Sequence, residues 1–140
     1  MTATVRRLAL SSQPIGMRFY AEVACGWPSP AADYEEAPLS LDELVNITAY
    51  STFLVRARGE SMHPLIGDGD VLVVEKGKSA KLGSVVVAIL NGDFTVKRLG
   101  KVDNRDALIP DNSDMAPIMI TDGEPIEVWG VVRWILRSLE

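Results

Sequence analysis

Asn91-Gly92 stands between two apolar runs, Val85 to Leu90 and Asp93 to Leu99. A tight two-residue hairpin needs φ > 0 at both central positions, and asparagine followed by glycine meets that at the lowest steric cost. The dipeptide therefore commits its flanks to antiparallel strands, and a sheet has to form around them. The sequence supplies one. Phe53 to Arg58 alternates, Val71 to Val74 follows the turn Gly67-Asp68-Gly69-Asp70, and further short strands are expected at Ala107–Ile109, Ile118–Ile120 and Ile126–Ile135. Many short strands broken by Gly, Asp and Pro predict a mostly β chain. The expected architecture is a compact antiparallel β sandwich or partly closed barrel, and periodicity does not choose between them.

A chain of 140 residues, 47% of them hydrophobic, suits one core without covalent staples. Its character changes near residue 50, with few strand signals before that point and many after it. Residues 1–38 read as an extended N-terminal arm and residues 39–140 as a β-rich domain. Within the arm, Pro28 and Pro30 lock their own φ and push Trp27 and Ser29 away from helix, so this stretch should be extended. One short helix is expected next. Ser40 is its N-cap candidate, Glu43 completes a capping box, and Leu41, Leu44 and Val45 share a face before β-type residues begin at Thr48.

Composition excludes several classes of function. The longest apolar run, Val85 to Leu90, is far short of the roughly 20 residues a spanning helix needs. Arg6-Arg7 is followed only by Leu8-Ala9-Leu10, too little for a signal peptide, so no membrane association is expected. The lone Cys25 cannot form an internal disulfide, which fits a cytoplasmic location. A formal net charge of -5 argues against strong direct DNA binding, which rests on neutralising phosphates. One His and one Cys, widely separated, offer no metal-ligand spacing, and there is no phosphate-cradling glycine loop; neither metal nor cofactor is expected.

Two residues invite chemistry. Ser61, in Gly59-Glu60-Ser61-Met62-His63-Pro64, sits where a strand ends before a Gly/Asp-rich turn. That placement gives a nucleophile rigid support behind and space in front, with backbone N–H groups at hand for an oxyanion. Lys97 shares a strand face with Thr95 and Leu99. Packed among apolar groups, a lysine loses its proton more readily and can take one from a serine hydroxyl. By local pattern alone each has a plainer reading, a turn serine and a solvated strand lysine. His63, the only histidine, is two residues from Ser61 on an extended segment, roughly 6.6 Å away at about 3.3 Å per residue, and reads as a turn residue.

The chain resembles the UmuD/LexA family of self-cleaving serine–lysine peptidases over about residues 17–138. The segments that carry the resemblance are Cys25-Gly26-Trp27-Pro28-Ser29-Pro30-Ala31-Ala32-Asp33-Tyr34, Gly59-Glu60-Ser61-Met62, Gly67-Asp68-Gly69-Asp70, Gly92-Asp93-Phe94-Thr95-Val96-Lys97-Arg98-Leu99 and Trp129-Gly130-Val131-Val132. The resemblance implies Ser61 as nucleophile, Lys97 as general base and Cys25–Gly26 as the scissile bond. It also implies a homodimer, cleavage stimulated by a RecA–single-stranded DNA filament, and a trimmed product that joins a UmuC-type Y-family DNA polymerase in error-prone translesion synthesis during the SOS response. A LexA-type repressor is not expected, because the residues ahead of Cys25 are too few and irregular for a helix-turn-helix. The alternative is an interaction subunit of a Y-family polymerase that retains this geometry without cutting.

Overall fold

The computed structural model describes residues 2–7, 16–20, 35–45, 51–121 and 126–140. These form ten strands and one helix: β1 (Thr2–Arg7), β2 (Gly16–Tyr20), β3 (Glu35–Ser40), α1 (Leu41–Val45), β4 (Thr52–Arg58), β5 (Val71–Lys76), β6 (Val85–Leu90), β7 (Asp93–Val102), β8 (Arg105–Ile109), β9 (Ile118–Met119) and β10 (Ile126–Leu136). The chain divides into two compact units, residues 9–49 and residues 1–8 with 50–140.

The larger unit is an eight-stranded antiparallel sheet in the order β1-β4-β5-β10-β6-β7-β8-β9. Its ladder is open, with β1 at one edge and β9 at the other, yet it coils far enough to bring β1 near β7. The predicted antiparallel β class, a partly closed sheet, is what the fold shows. Asn91 (φ 50°) and Gly92 (φ 86°) form the expected turn, and Leu90 pairs with Asp93 across it. A second turn of the same kind follows at Asp103 (φ 50°) and Asn104 (φ 64°), pairing Val102 with Arg105. It carries β7 and β8 past the bounds read from the sequence.

Alternation along these strands separates two apolar layers. Val55, Ala57, Met62, Ile66, Leu72, Val74, Val87 and Val96 form one buried cluster; Val86, Ala88, Leu108 and Val131 form the other. Val86 and Val87 thus serve opposite faces of β6. At roughly 1.5–3 kcal/mol for each fully buried aliphatic side chain, these two layers dominate the stability of the sheet. Phe53 and Phe94 pack on Trp129 with ring centroids 5.1 and 5.4 Å away, and Lys76 lies over the same indole.

The smaller unit holds the β2–β3 antiparallel pair and α1. The Glu43 amide donates to Ser40 Oγ at 3.3 Å, the predicted N-cap, and α1 ends at Val45, within the expected limit. Of the described residues in the first 38, those of β1 pair with β4 from Thr2↔Arg58 to Arg7↔Phe53, and those of β2 pair with β3. Among the described residues no helix is long and apolar enough to cross a membrane.

Gly130 marks where β10 is pressed hardest. A Cβ there would lie 2.7 Å from Val74 Cγ1 and 2.8 Å from the Glu75 carbonyl oxygen, beside a bulge in the β10–β6 pairing. The carbonyl cannot yield without moving β5. At Gly100 the nearest atom, at 2.6 Å, is Ile109 Cδ1, the free end of a flexible side chain. Gly130→Ala is expected to lower unfolding free energy by about 1–3 kcal/mol, as overpacking does, and Gly100→Ala by less. Urea denaturation of the two variants side by side checks the order.

Candidate active site

Ser61 lies on the segment that leaves β4 and returns to β5. The base of this loop is closed by main-chain bonds, Gly69 N–H to Ala57 C=O and Ala57 N–H to Asp70 C=O, both 2.8 Å, and by the Gly59 amide donating to Asp68 Oδ1 at 2.8 Å. Met62 and Ile66 turn inward, fully buried in the first core cluster, and the Ile66 amide donates to Met62 C=O at 2.9 Å. The serine is therefore flanked by a core anchor and is itself 1% exposed.

The far side of the loop is clamped by Asp70 and Arg137. Arg137 Nη2 and Nε donate to Asp70 at 2.6 and 2.9 Å, Nη2 also reaches Leu65 C=O at 3.1 Å, and Asp70 Oδ2 accepts the Gly67 amide at 2.8 Å. The Arg137 guanidinium, with the Gly67 amide, holds the Asp70 carboxyl below its usual range, against the opposing effect of burial.

Lys97 comes from β7, opposite Val86 of β6. Its neighbours Val96 and Phe94 point into the first core cluster, so alternation turns Lys97 and Thr95 to the other face. The lysine is 5% exposed, and among the described residues no carboxylate lies within ion-pair distance of it. Its Nζ makes three contacts instead: Thr95 Oγ1 at 2.9 Å, Val96 C=O at 3.1 Å and Ser61 Oγ at 3.1 Å. Burial disfavours the ammonium and lowers the pKa. The contacts suit a neutral amine. It has two N–H groups, matching the Val96 carbonyl and the Thr95 hydroxyl oxygen, and one lone pair, matching the Ser61 O–H.

The structure thus brings together Ser61 and Lys97, 36 residues apart in sequence. His63 is exposed, and its amide donates to Glu60 C=O at 3.1 Å, which leaves it a turn residue. Cys25 and Gly26 lie outside the described residues. Among the described residues there is no group of three His, Cys, Asp or Glu side chains that could hold a metal. Sequence reasoning placed Thr95 on the lysine's face but gave it no part. It missed Asp111, Asn112 and Arg137, whose partners are distant in sequence.

A coiled antiparallel sheet here sets a serine hydroxyl against a buried lysine amine that has no carboxylate partner among the described residues, an arrangement chemically suited to nucleophilic catalysis. Comparison with known sequences gives the family. The family model described as Peptidase S24-like matches residues 18–133. Protein MucA of Salmonella typhimurium is 43% identical over 117 residues, covering 81% of this chain and 80% of that protein. Protein ImpA of Escherichia coli is 39% identical over 113 residues (80% and 77%), and the LexA repressor of Verminephrobacter eiseniae 33% identical over 128 residues (91% and 57%). The chain belongs to the Peptidase S24-like family of self-cleaving serine peptidases, among its UmuD-like members.

A lysine with a depressed folded pKa makes a specific thermodynamic prediction. Between that pKa and the ordinary 10.5 the unfolded chain binds a proton that the folded chain does not, so stability attributable to Lys97 rises with pH across this window. In a Ser61→Ala background, Lys97→Met should be more stable relative to its parent at neutral pH than at pH near 10. Urea unfolding at a series of pH values measures the difference; a constant gap would contradict the buried-amine reading.

Proposed function

We propose that the chain cuts its own Cys25–Gly26 bond with Ser61 as nucleophile and Lys97 as general base. The observation that carries this reading is the 3.1 Å contact between Ser61 Oγ and a buried lysine Nζ that has no carboxylate partner among the described residues. Ser61 Oγ attacks the Cys25 carbonyl carbon as its proton passes to Nζ. The tetrahedral oxyanion is met by backbone N–H groups of residues 60–62, since the Gly59 amide is held by Asp68. The C–N bond breaks, Nζ returns the proton to the Gly26 amine, and a water then hydrolyses the Cys25 ester and frees Ser61. Thr95 Oγ1 and Val96 C=O hold the amine on the serine through both steps.

The scissile bond falls in the sequence between β2 and β3, inside the unit of residues 9–49. Cutting there leaves β1 with no covalent link to its partner β4, and β2 with none to β3. A tethered substrate reaches a high effective concentration at its own site, and cleavage ends that advantage. The likeness to MucA and ImpA supports a UmuD-like role: a cytoplasmic homodimer, cut under stimulation by a RecA–single-stranded DNA filament, whose residues 26–140 serve as accessory subunit of a UmuC-type Y-family polymerase in SOS translesion synthesis.

Intact-mass spectrometry after incubation at mildly alkaline pH, with and without an activated RecA filament, tests the chemistry. A product of residues 26–140 is expected from the wild type and none from Ser61→Ala or Lys97→Ala, with the intrinsic rate rising as pH passes the lowered lysine pKa. Full cleavage in either variant would reject the dyad; no cleavage by a folded wild type would favour the non-cutting polymerase subunit.

A further inference from the structure

The two carbonyl groups that flank Ser61 share one partner, Asn112. Its backbone N–H donates to Ser61 C=O at 3.1 Å, and its Nδ2 donates to Glu60 C=O at 3.0 Å. The side-chain amide has only one orientation that fits, because Oδ1 accepts the Asp114 N–H at 3.0 Å while the Glu60 carbonyl can only accept. The preceding residue adds a third tie, Asp111 N–H to Met62 Sδ at 3.4 Å. Two consecutive residues therefore grip three, with the nucleophile in the middle.

That grip is anchored to the strand bearing the lysine. Asp111 is held in a two-pronged ion pair by Arg98, Nε to Oδ1 and Nη2 to Oδ2 at 2.9 Å each, and Arg98 Nη1 donates to Gly83 C=O at 2.8 Å. Arg98 is the residue after Lys97. The bonds close a ring: Lys97 to Ser61, Ser61 to Asn112, Asp111 to Arg98, and one peptide back to Lys97. We propose that Asn112 is a positioning residue for Ser61, and that the Arg98–Asp111 pair fixes the place from which it acts.

The physical reason lies in peptide planarity. In a trans peptide the C=O and N–H point in opposite directions, so holding Glu60 C=O sets the direction of the Ser61 N–H, and holding Ser61 C=O sets that of the Met62 N–H. Asn112 thereby orients both peptide planes on which the Ser61 side chain hangs. A turn lacks a strand ladder to do this, and within it only the His63 amide, at 3.1 Å, joins Asn112 on the Glu60 carbonyl among the described residues. A nucleophile displaced by about 1 Å can lose on the order of 100-fold in rate, so the grip matters out of proportion to its share of stability.

The inference rests on Ser61 and Lys97 being the reacting pair, and the experiment separates the two claims. Asn112→Asp keeps the backbone amide and an acceptor for Asp114 but removes the donor to Glu60. Arg98→Lys keeps the charge but loses the fork. Each full-length variant is compared with the wild type for self-cleavage rate against pH, covalent labelling of Ser61 by a fluorophosphonate probe, and thermal midpoint. Asn112→Asp is expected to lose about 10- to 100-fold in both cleavage and labelling, and Arg98→Lys a smaller factor. In Arg98→Lys, which adds no charge to the site, the midpoint of the pH–rate profile should move upward as Nζ loses its hydroxyl partner, a change that a merely structural role would not produce. A wild type that neither cleaves nor labels defeats the dyad and this proposal with it. A wild type that does both, beside an Asn112→Asp chain that matches it, defeats the proposal alone; should that variant not fold, an Arg98→Lys chain that cleaves and labels like the wild type does the same.

Discussion

Everything distinctive about this molecule follows from placing a lysine amine where water barely reaches and, among the described residues, no carboxylate comes within ion-pair distance. A buried ammonium without a counter-ion is costly, and proteins ordinarily relieve the cost by pairing or by releasing the proton. Burial pushes Lys97 toward the second route, lowering its pKa. Its three contacts among the described residues are a carbonyl and two hydroxyls, which suit a neutral amine and bring an ammonium no opposite charge. The sheet makes this tolerable: Val96, beside Lys97, is fully buried in the first core cluster, so β7 cannot rotate the amine out without pulling a core residue with it.

Such a contact is useful only if the serine stays put, and Ser61 is in a loop. The loop is secured by devices of different chemistry on each side. Met62 and Ile66 anchor it apolarly from within, Arg137 clamps Asp70 and Leu65 C=O, and Asn112 holds the carbonyls of Glu60 and Ser61. Most of these ties end on backbone carbonyl groups. That choice fixes the path of the main chain and leaves the Ser61 hydroxyl committed to one partner.

The sequence made the body of the fold legible wherever a local rule was decisive. Asn91-Gly92 demanded a hairpin, Ser40 with Glu43 demanded a helix start, and the apolar runs between turns demanded strands. It was less legible where pairing decides. Asp103-Asn104 also adopts positive φ, but with no glycine the pair gives a weaker signal, so the reach of β7 was underread. β1, Thr-Ala-Thr-Val-Arg-Arg, has little apolar pattern; its strand character comes from hydrogen bonding to the edge of β4, a partner about 50 residues away. The same limit applied to the site. Neither Ser61 nor Lys97 stands out by itself, and their meaning came from several motifs in order, whereas Asn112 and Arg137 act through carbonyl groups and a carboxylate that no local pattern announces.

The charges that hold the loops and the amine that would do the chemistry answer to different parts of the pH scale. Asp70 is held below the usual carboxylate range by Arg137, so its contribution is present above that range and lost only as pH falls through its lowered folded pKa. The guanidinium groups of Arg98 and Arg137 are pushed further above an already high value by their carboxylate partners. Lys97 is displaced the opposite way, into the interval between them. Raising pH through the lowered Lys97 pKa therefore discharges the amine while leaving both clamps charged. The separation follows from geometry: the clamps are partly exposed ion pairs, each charge facing its opposite, and the amine is buried, with neutral oxygens of Ser61, Thr95 and Val96 as its partners among the described residues. Alkaline activation would then act on a site whose walls have not begun to loosen.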